Sequence, residues 1–182
     1  MTSPTGNRRI DALLAPDYLS GLVDRPLDEL RAMRAAAEQA ETDLSYLRRL
    51  LQGRVDILRA EQARRGGDGP AGSLVDALPE ILADERVPSH GLGRYAAVEP
   101  SDIDAHRRYV EALVPDSDLS EPGGLDDTAL ARILDVLDRE EADISRKRRS
   151  VQVVMDTLTE ELGRRYKDGA ADVADLLHTE TE

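Results

Sequence analysis

The stretch ETDLSYLRRLLQGRVD, residues 41–56, decides how this chain is read. Leu44, Leu47 and Leu51 fall at the alternating three-and-four spacing of a coiled-coil seam. Around them Glu41, Ser45, Arg48, Gln52 and Asp56 spell E-x3-S-x2-R-x3-Q-x3-D. A second stretch, EADISRKRRSVQVVMD at 141–156, spells the same pattern with Glu141, Ser145, Arg148, Gln152 and Asp156, 100 residues further on.

The seam extends in both directions from each stretch. Leu30, Ala37, Leu44, Leu51 and Leu58 recur every seven residues, with Met33, Ala40 and Leu47 in companion positions. Leu130, Leu137, Ile144, Val151 and Leu158 repeat the series, with Ile133 and Val154 as companions. Aligning 30–65 with 130–165 gives twelve identities: Leu30, Glu41, Asp43, Ser45, Arg48, Arg49, Gln52, Asp56, Leu58, Glu61, Arg64 and Arg65 each meet their own kind. Chance at this composition gives roughly two, so the chain contains an internal repeat built on two long helices.

Start and stop signals frame these helices at 26–66 and 125–167. Pro26 fits a first helical position, the cluster GGDGPAG opens at Gly66, and Asp126 or Asp127 is placed to cap the second helix. Gly53 is a weak point inside the first, costing about 1 kcal/mol relative to Ala. An N-terminal arm, 1–25, carries a short amphipathic pattern in IDALLAPDYLSGLVD. The connection, 67–124, holds SLVDALPEILADE, interrupted by Pro79, and PSDIDAHRRYVEALVP, where Ser101 and Asp104 resemble a capping box. The acidic tail, 168–182, has little to hold it and is expected to be mobile. The expected fold is all-α: one helical domain, 1–182, formed by an antiparallel coiled-coil hairpin with short accessory helices.

Composition narrows the function. The 182 residues include no Phe, Trp or Cys, and charged residues make up 34%. A core of Leu, Val, Ile and Ala suits helix seams, and a partner is expected to complete the burial. The formal net charge of -13 disfavours direct nucleic-acid binding and suits a basic protein partner. Arg146, Lys147, Arg148 and Arg149 form a local basic exception. Without cysteine there is no disulfide framework or thiol chemistry. His90, His106 and His178 are scattered, and GGDGPAG lacks the Lys-Ser/Thr end of a phosphate loop, so neither a metal centre nor an enzyme is expected. The N-terminus lacks the apolar run of a signal peptide, and no segment is apolar enough to span a bilayer; the expected location is the cytoplasm.

Spaced four, three, four and four, the five repeated polar residues form one stripe along a helix flank. A solvated coiled-coil flank explains charge in general, but not why Ser and Gln return to their own places. Antiparallel pairing of the two helices along matching seams generates a pseudo-two-fold axis near residues 48 and 148. Such an arrangement suits a two-fold-symmetric guest. Arg fits guanine O6 and N7 or a phosphate, Asp or Glu accepts from guanine N1–H and N2–H2, and Ser and Gln serve phosphates or base edges. Cyclic di-GMP meets these requirements.

The doubled motif resembles that of the RsiG family, anti-sigma factors of sporulating actinobacteria that hold a WhiG-type sigma factor. The resemblance covers both long helices and all ten motif positions. It implies that the two copies, on an antiparallel coiled coil, bind cyclic di-GMP as a dimer, and that the loaded protein sequesters sigma and silences late sporulation genes. Relatives with one copy are expected to pair two chains; both copies here imply a monomer that forms a 1:1 complex with sigma. By resemblance the ligand contacts are Glu41, Ser45, Arg48, Gln52, Asp56, Glu141, Ser145, Arg148, Gln152 and Asp156, with Arg48 and Arg148 on guanine edges or phosphate and Asp56 and Asp156 binding guanine or orienting Arg. Candidate sigma contacts lie on the coiled coil and around Leu19–Val23, Leu74–Leu82 and Tyr109–Leu113, although most of those apolar residues are expected to pack on the hairpin. The competing reading is a structural coiled-coil adaptor without a small ligand.

Overall fold

The computed structural model describes residues 5–67 and 99–169. Helix α1 spans Thr5–Leu13, α2 Leu27–Gly66, α3 Ile103–Leu113, α4 Asp116–Ser120 and α5 Asp127–Lys167. Single 3-10 turns, Leu22–Asp24 and Pro122–Gly124, precede the two long helices. The fold is all-α, with no strand among the described residues. The pattern at 73–85, the candidate sigma contacts at 74–82 and the tail from 170 onward lie outside the described residues.

The two long helices pack against each other along the seam. Leu30, Ala37, Leu44, Leu51 and Leu58 of α2 are buried, as are Leu130, Leu137, Ile144, Val151 and Leu158 of α5. Each large aliphatic side chain removed from water stabilises the fold by about 1.5–3 kcal/mol. The companion row differs from expectation on α5: Leu134 is buried at the position next to Ile133, which stays partly exposed. At the N-terminal end of α5 the companion thus follows its seam residue by four rather than three, so it approaches α2 from the side that carries the polar stripe. Gly53 lies within α2 without interrupting it.

The chain divides into two compact units, 1–42 with 147–182 and 43–146. In the first, Ile10 and Leu13 of α1 are buried, and Arg31 Nε and Nη2 donate to the Tyr166 hydroxyl at 3.2 and 3.0 Å. Together with Arg34 Nε, which donates to Thr159 Oγ1, these bonds run α2 and α5 in opposite directions.

In the second unit Arg59 pairs with Asp138 at 2.9 Å and Arg65 with Asp127 at 2.7 Å, the same antiparallel order. Val110 and Val114 are buried at the end of α3, and His106 packs edge-on to Tyr46 with ring centroids 6.1 Å apart. The start of α3 departs from the expected capping box. Its N-cap is Asp102 in the left-handed region, with no side-chain cap bond. Ser101 instead donates from its backbone N and its Oγ, both at 2.6 Å, to the carboxylate of Asp43 on α2. Helix α5 is capped as expected by Asp126, whose Oδ1 accepts from Ala129 N at 2.7 Å. At the other long helix Pro26 stands just outside α2, and its carbonyl accepts from Leu30 N at 3.1 Å.

Candidate functional site

The repeated polar residues fold into two clusters of like composition, each drawing on both motif copies. In the unit 1–42 with 147–182, Glu41 Oε1 accepts from Arg148 Nη1 at 3.1 Å and from Gln152 Nε2 at 3.2 Å. In the unit 43–146 the partners are exchanged. Glu141 Oε1 accepts from Gln52 Nε2 at 3.3 Å, with Arg48 Nη1 at 3.7 Å. Ser145, one turn along α5, donates its hydroxyl to the same oxygen at 2.9 Å. The glutamate of each copy thus gathers the arginine and glutamine of the other.

Helical geometry explains why the stripe reaches across. Glu41 and Arg48 each follow a seam residue by four positions, Ala37 and Leu44, so they lie about 40° around the helix from the seam. Glu141 and Arg148 stand in the same relation to Leu137 and Ile144. Ser45, Gln52, Ser145 and Gln152 follow a seam residue by one and lie about 100° away. All of these side chains are partly buried, as is Asp56, whereas Asp156 is exposed.

The ion pairs contribute little to the fold. With Arg48 and Glu141 at 31% and 25% exposure, and Arg148 and Glu41 at 26% and 22%, such pairs contribute about 1 kcal/mol or less. The seam leucines outweigh them, so the recurrence of Ser, Arg and Gln is not explained by stability.

Two polar atoms within these clusters are buried without a hydrogen-bond partner: Arg148 Nε and Gln52 Oε1. An unpaired buried donor or acceptor costs about 1–3 kcal/mol. Each guanidinium spends Nη1 on its glutamate; in Arg148 the Nε edge, half of the fork that suits guanine O6/N7 or a phosphate, has no acceptor.

A second constellation recurs in the two long helices. Glu61, Arg64 and Arg65 recur as Glu161, Arg164 and Arg165. Glu61, only 2% exposed, accepts from Arg64 Nε and Nη2 at 2.7 and 2.8 Å and from Arg65 Nε at 2.7 Å. Arg65 continues to the carbonyls of Pro122 at 3.0 Å and Leu125 at 2.7 Å, at the 3-10 turn that leads into α5. Glu161 is held alike by Arg164 and Arg165, and Arg165 donates to the carbonyls of Leu22, Val23 and Arg25 at the turn before α2. The arginine hydrogen bonds hold both glutamates at a pKa of about 2. These are structural clamps at the helix starts; their signal was identity at matched positions, without a recognisable chemistry.

Of the candidate sigma surfaces, Val110 is buried, Tyr109 and Leu113 are partly buried, and Val23 is exposed. No helix among the described residues is long and apolar enough to cross a membrane. Nor is any group of three or more His, Asp or Glu among them placed to hold a metal ion.

The site therefore belongs to an antiparallel helical pair that carries a duplicated polar stripe on an acidic chain. Comparison with protein families is more specific: the RsiG-like family matches residues 16–82 and 116–180, well over half of the sequence. The chain belongs to the RsiG-like family, an anti-sigma family that is regulatory rather than catalytic and implies a sigma factor as partner. A comparison with curated proteins returned no match.

Proposed function

We propose that this anti-sigma factor binds cyclic di-GMP through its ten repeated residues and, when loaded, sequesters a WhiG-type sigma factor, withholding it from sporulation genes. The observation that carries the reading is the recurrence of one donor and acceptor set in two clusters. Each contains an arginine tied through one Nη to a glutamate, and in one of them the arginine's Nε is buried without an acceptor. A guanine edge or phosphate supplies the missing acceptor, and a guanine N–H supplies Gln52 Oε1 with a donor. Two like clusters suit a ligand with two identical halves, or a dimer of it.

Nucleotide then acts as a cofactor of the sigma complex. Its binding fixes a helix arrangement that sigma prefers, and sigma must tighten nucleotide binding by the same factor. The net charge of -13 complements the basic DNA-binding surfaces of a sigma factor.

The test is calorimetry of the purified chain with cyclic di-GMP, alone and with a WhiG-type sigma factor. The expected result is saturable binding that sigma strengthens and that Arg48→Ala or Arg148→Ala weakens at least ten-fold, about 1.4 kcal/mol. Absence of heat in both arms, or binding indifferent to both substitutions, returns the protein to the reading of an adaptor without a small ligand.

A further inference from the structure

We infer that Glu41 and Glu141 are positioning residues, each holding the arginine and glutamine of the opposite motif copy rather than touching the nucleotide. The inference rests on the nucleotide reading above and divides the ten residues into those that meet the ligand and those that set the others in place.

One oxygen of each carboxylate is already committed. Glu41 Oε1 carries two donors, Arg148 Nη1 and Gln152 Nε2, at 3.1 and 3.2 Å. Glu141 Oε1 carries Ser145 Oγ and Gln52 Nε2 at 2.9 and 3.3 Å, with Arg48 Nη1 nearby. Two donors match the two lone pairs of a carboxylate oxygen, so neither Oε1 has capacity for a guanine N–H.

Charge points the same way. A cyclic dinucleotide is anionic, and a carboxylate laid against it is repelled unless a cation stands between them. Arg48 and Arg148 stand at ion-pair distance from the two glutamates. A glutamate behind each arginine fixes the guanidinium, which otherwise loses side-chain freedom on binding. Arg148 shows the outcome, being held through Nη1 while its Nε is buried without an acceptor.

The working unit is therefore not the linear motif. Glu41 belongs with Arg148 and Gln152, and Glu141 with Arg48 and Gln52. Glutamate and arginine lie seven residues apart within each copy, so antiparallel pairing brings each glutamate to the other copy's arginine.

The experiment compares Glu41→Ala and Glu41→Gln in the full chain, by cyclic di-GMP calorimetry and by the NMR signal of the Arg148 Nε–Hε group in the ligand-free protein. Glu41→Ala is expected to weaken binding about ten-fold, the ordering cost of one long side chain. Glu41→Gln, whose Oε1 still accepts from Arg148 and Gln152, is expected to recover most of that loss. Adding Arg148→Ala to Glu41→Ala should cost less than it does in the parent chain, whereas adding Arg48→Ala should cost its full amount. Tighter or unchanged binding in Glu41→Ala, or equal damage from Gln and Ala, overturns the inference. If the parent chain binds no cyclic di-GMP, the nucleotide reading fails separately. The positioning of Arg148 is then judged by NMR: a slowly exchanging Nε–Hε signal lost in Glu41→Ala and kept in Glu41→Gln supports it, and a signal unchanged in Glu41→Ala overturns it.

Discussion

Glu61 and Glu161, 100 residues apart, occupy equivalent places: each carboxylate is gripped by the two consecutive arginines three and four positions further along its own helix. In each case the second arginine continues to backbone carbonyls at a 3-10 turn, Arg65 to Pro122 and Leu125, Arg165 to Leu22 and Arg25. The repeat thus includes the means by which each long helix receives the chain that enters the other. The carbonyls of a 3-10 turn have few partners of their own, and the guanidinium supplies several donors at once.

Arg65→Ala should therefore destabilise the chain by about 2 kcal/mol, the cost of stranding a buried hydrogen-bonded group. Arg64→Ala removes a more exposed partner of the same glutamate and should cost about 1 kcal/mol or less. Urea denaturation of the two variants checks the order. Equal losses would show that the carbonyl bonds of Arg65 contribute nothing.

The same carboxylate sets a pH dependence. The folded pKa of Glu61 is about 2, below the ordinary 4.5, because the arginine hydrogen bonds favour the ionised form. A depressed carboxylate stabilises the fold fully above its unfolded pKa, and the stabilisation is lost as pH falls from about 4.5 toward 2. Thermal melts between about pH 6 and about pH 2 should show that loss. Glu61→Gln should be less stable than the parent at neutral pH and should flatten the slope across the acid window. A parallel slope in the variant would place the acid sensitivity elsewhere.

Features set by short-range repetition are legible in the sequence, and those set by long-range pairing are not. Leu44, Leu51 and Leu58 were legible because a seam repeats locally and each residue announces the next. The stripe was legible as a repeat, since Glu41, Ser45, Arg48, Gln52 and Asp56 each returned 100 residues on. What spacing could not show is that Glu41 reaches across to Arg148 and Gln152 on the other helix. That choice depends on the antiparallel register. Ser101 resembles part of a local capping box for the same reason: its partner Asp43 lies 58 residues earlier. Ile133 and Leu134 both satisfy a heptad as three- and four-residue companions, and only packing against α2 selects Leu134.

Seam and stripe should respond differently to truncation. Leu51 is fully buried, and Leu51→Ala should cost about 2–5 kcal/mol through lost transfer energy and the cavity left behind. Val153, 62% exposed on the outer side of α5, should tolerate Ala within about 0.5 kcal/mol. Chemical denaturation separates these outcomes. A large loss at Val153 would show that this side of α5 is covered rather than open to solvent.

Asp43 and Asp143 are matched in the repeat yet placed in different surroundings, and their substitutions should diverge. Asp43 receives both donors of Ser101 and thereby ties the start of α3 to α2. Asp143 pairs with Arg146 on its own helix at 2.9 Å, where an exposed pair contributes about 0.3–0.5 kcal/mol. Asp43→Ala strands the Ser101 amide and should cost about 1–3 kcal/mol. Asp43→Asn keeps one acceptor oxygen and should recover part of the loss. Hydrogen exchange gives the local readout: the amide of Ser101 should lose protection in Asp43→Ala, together with the first turn of α3, while Asp143→Ala leaves both unchanged. Unaltered exchange at Ser101 in Asp43→Ala would mean that the other contacts of α3, among them Val110, Val114 and the His106–Tyr46 pair, suffice to hold it.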